Sequence, residues 1–581
     1  MSTQAKPRQS EALVPWRFYL VGGVLLALFA ALLARSAFIQ LIAPDRLVAE
    51  GDSRTLRTMT EQVTRGIITD RNGEELAISV PVQAIWADPK TVYERQGLDD
   101  ERRWQALADV LGVDANGLQQ RVTANAKKRF VYLARQVSPA AAAFTRELAI
   151  PGVYLKEESR RFYPAGEVSS QLIGFTNIDD NGQEGIERAY NGWLTGKAGR
   201  RLVRKDASGR LVESMEVLES STPPQNLQLT IDQRIQALAY QELKYATEYH
   251  RATAASLVVI DIPTGEVLAM VNTPSFTPNN RGDLASHRTR NRAITDSFEP
   301  GSTLKPLAVA AALNAGTISP GTIVDTNPGW LRVGGRQVRD HRNYGVLDVA
   351  GVLAKSSNVG TTKIALGLGI EQYLKTLYGF GLGSQTGIGL IGEVPGMLSA
   401  KRRWSDFEVA TLSFGYGVAV TPLQLAQAYA VLGGGGVYRP PSIIKGQQRE
   451  GTEVVLAPRT AKQVLQLMEA VTTKGGSGTA AQVAGYRVAG KTGTARKAVA
   501  GGYGKDYVAT FVGVAPISKP RLAIAVIMDE PRGDHYYGGD VSAPVFSRVM
   551  TGALRILNVA PDAVTVGQGQ VAALAEINKR G

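Results

Sequence analysis

Glu299-Pro300-Gly301-Ser302-Thr303-Leu304-Lys305-Pro306 runs directly into a helical stretch, residues 307–313 (LAVAAAL). A proline is tolerated inside a helix only in its first turn, where the N–H groups lack partners, so Ser302 is expected at a helix N-terminus. Residues three apart share one helix face, which turns Lys305 toward the Ser302 hydroxyl. An ammonium that loses its proton in a low-dielectric site can act as that hydroxyl's base. The Ser302 N–H and the helix dipole would then face a developing oxyanion. A second copy of the spacing, Ser442-Ile443-Ile444-Lys445, follows Pro440-Pro441 in a β-like apolar run. In a strand, residues three apart point to opposite faces, so this pair cannot couple.

Two further elements stand downstream. Ser356-Ser357-Asn358 is the only Ser-x-Asn in the chain, and Lys491-Thr492-Gly493-Thr494 holds the only Lys-Thr-Gly. Each has a plain structural reading, the first as a helix cap and the second as a strand with a bulge glycine. A given triplet such as Lys-Thr-Gly arises by chance in roughly one chain in five of this length, so the weight lies in the ordered set of three.

The surrounding pattern predicts an antiparallel sheet with helices on its faces, an α+β fold. Residues 255–261 (ASLVVID), the turn Ile262-Pro263-Thr264-Gly265 and residues 266–272 (EVLAMVN) read as a hairpin, and 507–515 and 521–529 as two more strands. Residues 226–232 read as a strand leading into an amphipathic helix that ends near Tyr249. Upstream, Arg65-Gly66-Ile67-Ile68-Thr69-Asp70-Arg71-Asn72-Gly73 reads as a strand entering an Asn-Gly turn, with residues 75–87 β-rich and helical stretches within 100–150, at 100–113 (DERRWQALADVLGV) and 138–150 (SPAAAAFTRELAI). A turn-rich segment (161–199) and the linker Ser221-Thr222-Pro223-Pro224 follow, and a domain boundary is placed at that linker.

The chain has 581 residues, which suits about three to four domains at roughly 150 residues each. With 44% hydrophobic and 20% charged residues it lacks the signature of disorder. The net charge of +13 suits nucleic acid, anionic lipid or an acidic polymer without choosing among them. Zero cysteines exclude disulfides, Cys-ligated zinc and thiol catalysis, and four scattered histidines without an HExxH speak against a zinc enzyme. No cofactor or metal is expected. Residues 18–34 (FYLVGGVLLALFAALLA) carry no charge, and the apolar pattern resumes to residue 42, enough to span a bilayer. A cleaved signal peptide has an apolar region of only about 7 to 15 residues, so a retained anchor over 18–42 is expected, with tail 1–17 in the cytosol. Lys and Arg number three before the span and three within 43–60, so charge alone does not set the orientation.

Taken together, Ser302-x-x-Lys305, Ser356-x-Asn358 and Lys491-Thr492-Gly493 resemble the signature of the penicillin-recognising serine transpeptidases. More narrowly, the sequence is similar to division-specific class B penicillin-binding proteins of the Gram-negative type. That likeness includes the anchor, the Arg65 to Gly73 motif, Gly182-Gln183-Glu184-Gly185-Ile186-Glu187 and Gly417-Val418-Ala419-Val420-Thr421-Pro422-Leu423-Gln424. The resemblance implies an anchor at 18–42, a β-rich pedestal at 43–224, a transpeptidase domain at 225–560 and a tail at 561–581. It implies Ser302 as nucleophile, Lys305 as acylation base, Ser356 as proton relay, Asn358 as holder of the substrate amide and Lys491 as electrostatic tuner of Ser356. Thr492 and Thr494 would meet the substrate carboxylate, and Gly493 would let substrate lie along the strand. The implied reaction cross-links peptidoglycan stem peptides through a Ser302 acyl-enzyme during septum formation, blocked by β-lactams. The implied partners are a membrane glycosyltransferase of the shape, elongation, division and sporulation class and other division proteins. The implied location is the inner membrane, with the catalytic domain in the periplasm and no nucleic acid bound.

Two other readings compete. Gly485-Tyr486-Arg487-Val488-Ala489-Gly490-Lys491-Thr492 satisfies the P-loop pattern, with 523–529 (AIAVIMD) as a strand ending in a magnesium-binding Asp. A P-loop must open directly into a helix, whereas Gly493 follows at once. The other reading is a catalytically idle division scaffold, disfavoured because no motif residue is missing.

Overall fold

The computed structural model describes residues 15–42, 44–60, 63–206, 211–282, 284–447, 449–499 and 501–563. Most of the expected tail 1–17, and all of 561–581 beyond residue 563, lie outside the described residues. The chain divides into two units, Met1–Val63 with Gly196–Pro223, and Thr64–Thr195 with Pro224–Gly581. The expected pedestal, 43–224, is therefore shared between them.

In the first unit the apolar run forms a helix, Pro15–Ala37, that begins three residues before the expected span and widens into one π turn, Phe38–Ile42. Trp16–Gln40 is long and apolar enough to cross a membrane, and its large side chains, Phe18, Leu26 and Leu32 among them, are exposed. At about 1.5 Å per residue, a helix of this length covers a hydrocarbon core of about 30 Å. After the helix Pro44–Thr55 comes a three-stranded antiparallel sheet ordered Leu56–Thr60, Arg200–Lys205, Leu211–Glu219.

The second unit begins with Ile68–Thr69, which turns through Asn72-Gly73 into Glu75–Ala87. Asp70 closes the turn by accepting from the N–H groups of Asn72 and Glu74. Two of the motif segments meet here. Arg65 Nε and Arg161 Nε donate to opposite oxygens of Glu187 at 2.6 and 2.7 Å, all three side chains being buried. Removing one member of such a cluster leaves an uncompensated buried charge at a cost of about 3–5 kcal/mol. Helices occupy Glu101–Leu111, Ala115–Thr123 and Pro139–Leu148, capped by Asp100, Asp114 and Ser138. The expected helical stretches 100–113 and 138–150 are found, and between them Val131–Val137 is a strand, paired with Glu75–Ala87 and burying Leu133 and Val137. Seven residues are too few for the 3.6 period to be told from alternation, and pairing decided between them.

Beyond the linker, Gln233–Tyr249 is the expected helix, preceded by a strand of only two residues, Leu227–Gln228. The central sheet is antiparallel throughout, ordered Glu266–Thr273, Ala254–Asp261, Leu522–Asp529, Gly502–Ala515, Ala489–Val499. Its inner strands read as unbroken apolar runs because both faces are covered. Val258, Ile260 and Ala525 enter the core with Leu423 and Leu307, while Leu257, Val259 and Ile524 enter the opposite core with Leu243 and Phe546. The result is three layers, helix on sheet on helix, with the strand carrying Lys491 at the sheet's edge.

Candidate active site

Gly301–Leu304 forms a 3-10 turn that continues into the helix Lys305–Asn314, with Pro306 in the first turn as expected. In a 3-10 turn residues i and i+3 eclipse, so Ser302 and Lys305 share a side by tighter geometry than an α-helix provides. The turn is held from three directions. Gly301 N–H donates to Gly415 O at 3.1 Å, Tyr429 Oη donates to Thr303 O at 2.8 Å, and Glu299 Oε1 accepts from Gly417 N–H at 2.8 Å. The Gly417 to Gln424 motif therefore clamps the Ser302 turn. Its end caps the helix Pro422–Gly433 through a Thr421/Gln424 capping box.

The three motifs converge. Lys305, fully buried, directs Nζ at the Ser356 carbonyl, at Ser356 Oγ (3.2 Å) and at Asn358 Oδ1 (2.7 Å). Lys491, equally buried on the edge strand, donates to the same Ser356 Oγ at 3.0 Å and to Thr492 O at 3.0 Å. Two lysine side chains thus share one hydroxyl. Burial pushes the Lys305 ammonium well below its ordinary value, with the Lys491 charge adding to the fall and Asp340 opposing it. Burial alone brings Lys491 down to about 7. Among the described residues no hydrogen bond joins Ser302 Oγ to Lys305 Nζ, so the expected direct contact is not made here, and Lys305 reaches Ser356 and Asn358 instead. Ser356 itself sits at φ +57°, in the left-handed region that a β-bearing residue adopts at a cost of order 1–3 kcal/mol. That twist presents its hydroxyl to both lysines.

Gly493 has a packing role in the fold itself. A Cβ there would lie 2.9 Å from Thr303 Cγ2 and 3.0 Å from Pro300 O, so the bare backbone lets the edge strand press against the Ser302 turn. Thr492 Oγ1 bonds Ser477 Oγ at 2.9 Å, and Thr494 Oγ1 accepts from Gly538 N–H at 3.0 Å.

Asp340 was not identified from sequence. Its Oδ1 accepts from the N–H groups of Asn358 (2.5 Å) and Val359 (3.0 Å), and its Oδ2 from Ser357 Oγ (2.6 Å). The carboxylate caps the helix Asn358–Leu368 from another strand-loop and fixes where Asn358 and Ser356 point. No motif surrounds it, and only the fold brings it within reach. Asp340→Asn should slow acylation by a penicillin roughly ten- to a hundredfold, the scale expected for loosening a positioned site, while leaving the thermal midpoint within a few degrees. Stopped-flow acylation with a fluorescent penicillin reads this, and an unchanged rate would dismiss Asp340 as a mere helix cap.

The P-loop reading is overturned. Lys491 and Thr492 lie inside the strand Ala489–Val499, paired with Val512 and Phe511, and no helix opens after them. The strand Leu522–Asp529 is antiparallel to both its neighbours. The second Ser-x-x-Lys is uncoupled as expected: Ser442 Oγ donates to Ile444 O at 3.0 Å, and Lys445 Nζ to Arg71 O at 2.8 Å.

Comparison with known proteins agrees with this geometry. Residues 255–551 match the penicillin binding protein transpeptidase domain and residues 60–229 the penicillin-binding protein dimerisation domain. The peptidoglycan D,D-transpeptidase FtsI of Escherichia coli (strain K12) is 48% identical over 568 residues, covering 97% of this chain and 96% of that one. Among solved structures, the transpeptidase domain of Burkholderia pseudomallei penicillin-binding protein 3 is 41% identical with a TM-score of 0.53, covering 58% of this chain and 98% of its own. Penicillin binding protein 3 from Mycobacterium tuberculosis, complexed with aztreonam, is 27% identical with a TM-score of 0.68, covering 87% and 98%.

Proposed function

The chain belongs to the penicillin-binding protein transpeptidase family, and from that premise we propose that it is a septal peptidoglycan D,D-transpeptidase working through a Ser302 acyl-enzyme. The observation that carries the proposal is the meeting of Lys305 and Lys491 at Ser356 Oγ, at 3.2 and 3.0 Å. A partly buried hydroxyl between two amines with depressed proton affinity is a route for protons. It has no evident use in a binding scaffold, which disfavours the idle reading.

The steps follow from the donors and acceptors. Of the three groups facing Lys305 Nζ, the Ser356 and Asn358 carbonyl oxygens only accept, whereas the Ser356 hydroxyl can also donate. A neutral Lys305 therefore keeps two N–H bonds and retains a lone pair. For Ser302 Oγ to use that lone pair the Ser356 hydroxyl must turn its proton away and Ser302 must close on Nζ, and catalytic contacts of this kind often tighten only when substrate arrives. Ser302 Oγ then attacks the carbonyl carbon of the penultimate D-alanine and its proton passes to Lys305. The C–N bond to the terminal D-alanine breaks, the leaving amine taking a proton by way of Ser356. An amine on a neighbouring stem peptide next attacks the ester, loses a proton along the same path, and frees Ser302. Asn358 holds the substrate amide, and Lys491 with Thr492 and Thr494 receives the substrate carboxylate. The Ser302 and Thr494 N–H groups stabilise the oxyanion.

The anchor makes this a single-pass membrane protein. Its catalytic unit works in the periplasm, the tail before the helix staying in the cytosol. A membrane glycosyltransferase of the shape, elongation, division and sporulation class would supply the glycan strands, with other division proteins recruiting both. Peptide mapping by mass spectrometry after exposure to benzylpenicillin tests the centre of this reading: one adduct is expected, on the peptide containing Ser302. An adduct on any other residue, or none, sinks it.

A further inference from the structure

The sheet of Glu75–Ala87, Val131–Val137 and Val153–Phe162 packs one face against helices. Ile85, Leu133 and Val137 pack there with Trp104, Leu107 and Val122 beneath the helices. The other face carries a run of rings. Trp86, on the middle strand, pairs across to Tyr132 on one side and Tyr154 on the other. Its ring centre lies 4.8 Å from that of Phe130 and 4.9 Å from that of Tyr154, and Phe130 meets Tyr132 edge-on at 4.7 Å. Contact among themselves does not bury these rings: Phe130 and Tyr154 remain 40% and 42% exposed. An exposed aromatic cluster of this kind marks a binding surface more often than a neutral one.

Its charge says what kind. Lys156 Nζ stands 5.8 Å from the Phe130 ring centre and 5.6 Å from that of Tyr132, and donates to Tyr132 Oη at 3.1 Å. Among the described residues it has no carboxylate partner. Lys127 and Lys128, exposed just before Phe130, likewise enter no ion pair among the described residues. Arg135, by contrast, is neutralised by Glu158 and Asp179. The face thus offers flat rings with one unpaired cation, Lys156, over them, and two more, Lys127 and Lys128, a few residues before Phe130 in the chain, complementary to a partner that joins apolar ring faces to carboxylates.

We propose that this face docks the glycan strand of peptidoglycan, pyranose rings lying on Phe130 and Tyr154 and stem-peptide carboxylates meeting Lys127, Lys128 and Lys156. The proposal rests on the transpeptidase reading, which makes that polymer the substrate. A second foothold on the same polymer turns capture of a stem peptide into a local event, raising its effective concentration without any change at Ser302.

The test uses the full-length chain in detergent micelles, acylated beforehand with penicillin so that Ser302 holds no stem peptide, and co-sedimented with purified sacculi. Phe130→Ala with Tyr154→Ala should weaken binding about tenfold or more, as loss of aromatic anchors does. Lys156→Glu, with the rings intact, should weaken it most at low salt, where surface charge is least screened. Penicillin acylation should be unchanged in both. Sedimentation of both variants like the wild type would overturn the proposal and leave an acidic protein as the occupant, and failure of the wild type to sediment would overturn it outright. Should the double variant lose acylation, and hence its fold, Lys156→Glu alone decides. An unacylated wild type would count against the transpeptidase reading instead.

Discussion

Ser302→Ala is expected to take up no β-lactam, its labelling rate falling by roughly 10⁵-fold or more, the scale seen when a serine nucleophile is removed. The side chain is only partly buried, and its hydroxyl makes no hydrogen bond among the described residues, so the fold should lose no more than about 1 kcal/mol. Intact-mass spectrometry separates the outcomes, since the wild type should gain one adduct and the variant none. Ser442→Ala is the matched control. Its hydroxyl serves only the Ile444 carbonyl, and Lys445 points to the Arg71 carbonyl, so labelling should match the wild type. An adduct surviving in Ser302→Ala, or vanishing in Ser442→Ala, would exchange the two motifs and unseat the nucleophile assigned here.

What could be read from the chain was whatever local patterning decides. The hairpin of Ala254–Asp261 and Glu266–Thr273 falls where an apolar run, a Pro-Thr-Gly turn and a second apolar run predicted it. The strand Glu75–Ala87 matches its expected ends. Val131–Val137 escaped because its state is set by pairing with a strand more than forty residues earlier, not by its own residues. The site divides in the same way. Residue types named the three motifs, but spacing carries no information on how Lys305, Ser356 and Lys491 meet, and one detail ran against the local reading. Lys305 turns from Ser302 to Ser356 and Asn358 because those oxygens satisfy a buried amine that would otherwise be unpaired. Gly493 answers to the Ser302 turn pressing on it. Asp340 left no sequence signal, since its role exists only once Asn358 arrives beside it.

Lys491→Ala should slow penicillin acylation by about 10²–10³-fold, the usual loss on removing a preorganised electrostatic group, and should also displace its pH dependence in a direction fixed by the site. Acylation needs Lys305 without its proton, so the rate falls on the acid side as Lys305 is protonated. In the wild type burial is the larger cause of Lys305's low proton affinity and the Lys491 charge the next. Deleting Lys491 removes the second cause, Lys305 holds its proton to higher pH, and the acid limb of the rate profile moves upward. Stability supplies an independent reading. Lys491 loses its proton near 7 in the folded chain and near about 10.4 when unfolded. Between those values the unfolded state binds more protons, so the wild type gains stability as pH rises from about 7 toward 10. Below about 7 the ammonium is charged in both states and the cost of burying it is felt in full. Lys491→Ala lacks that cost and that gain, so its stability relative to the wild type should be highest below pH 7 and decline as pH rises. Denaturant melts across this range, paired with stopped-flow acylation, measure both effects. An acid limb that stays put or moves downward would break the coupling between the two lysines, and with it the argument that Ser356 relays protons between them.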